Sequence, residues 1–148
     1  MKILVTSDLH QWIPKWKDLV KIVGKEKPRF ALIAGDLLPK TGSYSAQKRF
    51  FSELKTYCQQ MKRSASVTVL TYFGNDDFHI LEPLLDELEA GGLCLNLNGR
   101  VHREEGLVFC GMNRVRDYLS AVSQSVPPRV EMKGFKMYHP PGGQRAAH

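Results

Sequence analysis

The chain has 148 residues, 43% of them hydrophobic and 24% charged, and a net charge of +6 at pH 7. That is the size and balance of one soluble globular domain with a real core. No run of about 18 apolar residues exists to cross a bilayer as a helix, so the sequence gives no reason to expect a membrane protein. The basic balance favours anionic partners, phosphate and nucleic acid among them. The lysines and arginines are scattered, however, so nucleic acid rests on charge alone. Cys58, Cys94 and Cys110 show neither CxxC spacing nor an even count. They read as reduced, mostly buried thiols, which predicts a cytoplasmic protein. Asp8 and His10 interrupt the first apolar run too early for a signal peptide.

Ile3, Leu4 and Val5 form an uninterrupted apolar run, the pattern of a strand buried on both faces. Pro14 suits the first turn of a helix on which Trp16, Leu19, Val20 and Val23 share a face, and Gly24 is its expected stop. A second apolar strand over 30–34 runs into Gly35-Asp36. A turn over 39–45 precedes a helix striped by Phe50, Leu54, Tyr57 and Met61. A third strand over 67–73 ends in Gly74-Asn75-Asp76-Asp77. A third helix then has Pro83 in its first turn and Leu81, Leu84, Leu85 and Leu88 on its buried face, and Gly91-Gly92 closes it. Alternating strands and helices predict a parallel sheet with right-handed crossovers. Residues 101–110 read as a β-hairpin with an acidic turn. Beyond Gly111 the periodicity fades: 130–138 is a weak strand, and 140–148 is expected to be disordered.

Each of the three strands is followed at once by polar side chains able to bind metal: Asp8 and His10, then Asp36, then Asn75 with Asp76 and Asp77. Sites on open parallel sheets form outside the carboxyl ends of the strands, so these groups should line one edge. Gly35 and Gly74 each precede a candidate ligand, where a missing Cβ lets the backbone turn. Two aspartates, a histidine and an asparagine amide offer mixed oxygen and nitrogen donors. That set suits one or two Mn, Fe or Zn ions better than Ca. The plainer alternative is that Asp36 and Asp77 cap helices and Asn75 sits in a turn.

Asp8-x-His10, Gly35-Asp36 and Gly74-Asn75-x-Asp77, each behind a hydrophobic strand, resemble the motifs of the calcineurin-like metallophosphoesterases. The likeness runs from Met1 to about Gly111. It implies an α/β fold, a β-sandwich flanked by helices. It also implies hydrolysis of phosphomonoesters or phosphodiesters by a metal-bound hydroxide. By that resemblance Asp8 and His10 hold a first metal, Asp36 bridges two, and Asn75 holds the second.

Three departures stand out. Asp76 occupies the place of the family's histidine, so no catalytic acid is assigned there, although His79 lies three residues on. The family's Gly-His-x-His pair is absent. Tyr138-His139-Pro140-Pro141 resembles its His-His-Pro-Pro turn with His139 one place late. His102 reads as a hairpin residue, and His148 is terminal. The resemblance therefore implies a phosphoesterase domain over 1–139 that is short in its second sheet, which should leave apolar surface exposed and open a route to oligomers. The alternative is a degenerate, weakly active or inactive scaffold or interaction module on the same fold.

Overall fold

The structure, a computed structural model, describes residues 1–40 and 43–112. In chain order it forms β1 (Ile3–Thr6), α1 (Ile13–Glu26), β2 (Phe30–Ala34), α2 (Tyr44–Ser64), β3 (Thr68–Tyr72), α3 (Glu82–Ala90), β4 (Leu95–Asn96), β5 (Val101–Glu104) and β6 (Leu107–Cys110). The weak strand and tail expected beyond Gly111, the boundary at 139, His139 and His148 all lie outside the described residues.

Strands β1 to β4 make one parallel sheet in sequence order, β1-β2-β3-β4. That order fixes the layering. Right-handed crossovers that always step the same way put every connecting helix on one face. That face carries the main core. Ala31, Ile33 and Val69 pack there against Trp16, Leu19, Leu54, Met61 and Leu85 from the three helices. Trp16 is fully buried and stacks on Tyr57, ring centroids 5.3 Å apart. α1 runs past Gly24 to Glu26 and ends on Lys27 in the left-handed conformation, so Gly24 is not its stop. A Cβ on Gly24 would stand 3.3 Å from the Ser64 Cβ, which marks the close crossing of α1 over α2. β4 went unforeseen because two residues carry no periodicity.

The other sheet face needs a separate cover, and a small second sheet supplies part of it. β5 and β6 pair antiparallel around Glu105 and Gly106, both with positive φ, the geometry of a tight two-residue hairpin turn. Phe109 tilts onto Phe30 at 4.9 Å between centroids, and Leu107 packs with Phe30, Leu70 and Leu97. Arg29, just before β2, pairs with Glu104 and holds Glu105 at 2.6 Å, so the acidic turn pins the hairpin to the sheet.

The chain is thus the expected helix-flanked α/β fold, with its second sheet reduced to a hairpin among the described residues. β1 departs from the sequence reading. Among the described residues it is an edge strand and not buried on both faces, with Ile3 42% and Val5 64% exposed. Both align with the β2 residues Phe30 and Leu32 of the hairpin-side core, so among the described residues apolar surface is exposed at this edge.

Phe109→Ala should lower stability by about 2 kcal/mol in urea denaturation, less than a fully buried ring because Phe109 is half-buried. Val108→Ala, on the outer face of the same strand, should stay within about 0.5 kcal/mol. Equal losses would mean the hairpin does not lean on the sheet.

Candidate metal centre

The strand ends bring together residues far apart in sequence. Asp8, His10 and Asp36 each offer one donor atom, and these atoms lie within 4.8 Å of one another. Among the described residues this is the one cluster of three or more acidic, histidine or cysteine side chains with that spacing. The backbone there is unusual. Asp8, His10 and Asp36 have φ of 55°, 47° and 52°, three of the five described non-glycine residues in the left-handed region. Each such residue costs about 1–2 kcal/mol, which local chain propensity does not offset.

Specific bonds hold this conformation. The His10 N–H donates to the Asp36 carbonyl at 2.8 Å, tying the β1 end to the β2 end. The Trp16 indole N–H donates to the His10 carbonyl at 2.7 Å, linking the site loop to the core. His10 Nδ1 lies 3.0 Å from the Leu38 carbonyl. A carbonyl can only accept, so Nδ1 carries the proton, and in the neutral ring Nε2 is left with the lone pair a metal needs.

The β2 and β3 ends are locked by a buried carboxylate. Asp77, 2% exposed, accepts from the backbone N–H of Leu37 (3.1 Å), Leu38 (2.8 Å) and Gly74 (2.8 Å). Burial pushes its pKa up, and the nearby Asp36 charge adds to the rise, while the three N–H donors oppose it. Gly35 and Gly74 face each other inside this clamp. Gly35 turns with a φ of 74°, and a Cβ on it would stand 2.9 Å from Gly74 Cα. Gly74 has no positive φ, so it serves close approach instead of a turn: a Cβ there would collide with the Asp36 carboxylate. Neither aspartate caps a helix. Ser43 caps α2, and Leu81 precedes α3 with no side-chain cap.

The chain matches the sequence model of the calcineurin-like phosphoesterases over residues 1–125. It belongs to that family. The family's general chemistry is metal-dependent hydrolysis of phosphoesters. Among solved structures, it is similar in fold to TT1561 of Thermus thermophilus, with a TM-score of 0.57 and 16% identity over 75% of this chain. The chain spans 48% of that protein's length. No curated protein matches the chain.

The remaining polar residues of this phosphoesterase fold sort by position. Asn75 is exposed and follows Gly74 directly; its amide donates to Asp76 Oδ1 at 3.1 Å. Asp76 spans the site edge: its N–H donates to Asp36 Oδ1 at 3.1 Å, and its other carboxylate oxygen lies 3.3 Å from Lys40 Nζ. His79 opens a short 3₁₀ turn with its ring edge-on to Phe73. His102 lies 2.8 Å from Glu104 and over Phe109, a hairpin residue as expected.

Two positioning residues escaped sequence reasoning. Gln47, 1% exposed, donates to the Pro39 and Asp76 carbonyls at 3.0 and 2.7 Å and accepts from the Phe78 N–H at 2.8 Å. It joins the two loops that follow β2 and β3. Its one signal was a polar residue on the apolar stripe of α2, three places before Phe50. Asn98 Oδ1 accepts from the Phe73 N–H at 2.8 Å, and its Nδ2 has no hydrogen-bond partner among the described residues. No sequence pattern marks it.

Asp77→Asn should cost about 1–3 kcal/mol, because whichever way the amide turns at least one backbone N–H loses its acceptor; a thermal melt overlaying the parent would refute the clamp. Asp8→Gly should leave the melting temperature unchanged or higher, since glycine relieves the φ of 55°, while Mn affinity measured by calorimetry falls. A drop in melting temperature with intact Mn binding would assign Asp8 a structural role.

Proposed function

We propose that the chain is a metal-dependent phosphoesterase acting on phosphomonoesters or phosphodiesters, with Asp8, His10, Asp36 and Asn75 holding one or two Mn, Fe or Zn ions. The observation that carries this reading is the convergence of Asp8, His10 and Asp36 donor atoms within 4.8 Å on strained backbone. The donor set fits such ions: two hard carboxylate oxygens and an imidazole whose proton is turned away onto the Leu38 carbonyl. A divalent ion held there supplies positive charge that makes a bound water acidic and offsets the charge of the phosphoryl group.

The residues of the chain orient and balance. Asp36, held by the Asp76 N–H and by its own carbonyl's bond to the His10 N–H, would be the carboxylate shared if two ions bind. Asp76, in the family's histidine place, is turned to Lys40 and the Asn75 amide. A carboxylate paired with Lys40 replaces the imidazole there, so the reading favours substrates with good leaving groups. A reducing cytoplasm suits the free thiols of Cys58, Cys94 and Cys110.

The second reading is a degenerate scaffold on the same fold, and Asp76 is the feature that favours it. Mn titration and hydrolysis of p-nitrophenyl phosphate separate the two. An enzyme should bind Mn and lose turnover more than about 100-fold in Asp36→Asn, beyond what an outer hydrogen-bond partner costs. A well-folded chain that stays metal-free in excess Mn and turns nothing over would be the scaffold.

A further inference from the structure

Beside the metal centre the surface dips into a shallow depression lined by Gln11, Tyr44, Lys48, Arg49 and Glu53. Gln11 directly follows His10, so the depression adjoins the loop that carries the site. Two aromatic rings stand in water here: Tyr44 lines the depression, and Trp12 directly follows its lining residue Gln11. Trp12 is 60% exposed and Tyr44 is 46% exposed. Neither is part of a described core cluster, in contrast to Trp16. Each carries a lysine: Lys15 Nζ is 5.0 Å from the Trp12 ring centroid, and Lys48 Nζ is 5.9 Å from that of Tyr44. Lys15 also reaches back to the Asp8 carbonyl at 3.4 Å.

The surrounding charge is uneven. α1 carries four lysines and α2 five basic residues, against Asp18, Glu26 and Glu53 on the two helices together. α3 carries four carboxylates and no cation. At the depression itself Lys48 and Arg49 outnumber Glu53, and Lys15 stands beside Trp12. Exposed flat rings with cations at their faces, in a basic surround, suit a ligand that alternates aromatic planes with phosphates. Paired bases hide their faces in the stack, so the match is to a single strand.

We propose that this surface binds single-stranded nucleic acid, with bases stacked on Trp12 and Tyr44 and backbone phosphates against Lys15, Lys48 and Arg49, beside the metal centre. This names a substrate class for the phosphoesterase reading and rests on that reading only for the fate of the bound strand.

The test is binding of a labelled oligothymidylate of about twelve nucleotides to the full chain in EDTA, followed by anisotropy and tryptophan fluorescence. Of the two tryptophans Trp16 is fully buried, so quenching reports on Trp12. The expected result is salt-dependent binding with quenching, weakened about tenfold by Trp12→Ala or Tyr44→Ala and largely restored in Trp12→Phe. Lys48→Ala should reduce the slope of log affinity against log salt by about 0.7. Absence of binding at low salt would overturn the proposal. So would indifference to both aromatic variants, equal affinity for a duplex, or equal affinity for thymidine monophosphate. Because EDTA removes the metal, the two readings fail separately. Binding without Mn-dependent turnover sinks the phosphoesterase reading alone, and turnover of p-nitrophenyl phosphate without strand binding sinks this one alone.

Discussion

One buried carboxylate sets the geometry on which the site depends. Asp77 takes three backbone N–H groups, two just after Asp36 and one just before Asn75. Parallel strands are joined through distant crossovers, so nothing in the chain's local connectivity fixes how the β2 and β3 loops sit against each other. A buried carboxylate that finds all its partners in those two loops does so. Gly35 and Gly74 follow from it: with the loops held that close, neither position has room for a Cβ.

The second constraint is strain. Asp8, His10 and Asp36 adopt backbone conformations that side chains rarely accept, and the bond from the His10 N–H to Asp36 and that from the Trp16 indole to His10 hold the segment there. Trp16 is also part of the core between α1 and α2. Packing energy far from the site thereby maintains its geometry. Gln47 does the same from the buried face of α2, with three bonds into the loops on either side of it.

The third is topology. A sheet wound in one direction covers one face only. The hairpin closes part of the other by resting Phe109 on Phe30 and by the Arg29 fork onto Glu104 and Glu105. Among the described residues the β1 edge stays open at Ile3 and Val5. The helical side carries nine lysines and arginines on α1 and α2, and Tyr44 stands exposed at the start of α2.

By itself the sequence determined the order of strands and helices from β1 through α3, the hairpin, and the candidate donors Asp8, His10, Asp36 and Asn75. Each of these is a local signal: an apolar run, a helical stripe, or a polar group at a strand's end. Only the tertiary structure decided the rest. Gly24 proved to be a helix crossing, β1 an edge, and Asp77 a clamp instead of a cap, because burial and hydrogen-bond partners depend on what stands opposite in space. The same holds for Gln47 and Asn98, whose partners lie 8 to 31 and 25 residues away in the chain. That Gln11, from the loop after β1, and Tyr44, at the start of α2, line one depression needed the fold as well, since only packing brings those segments together.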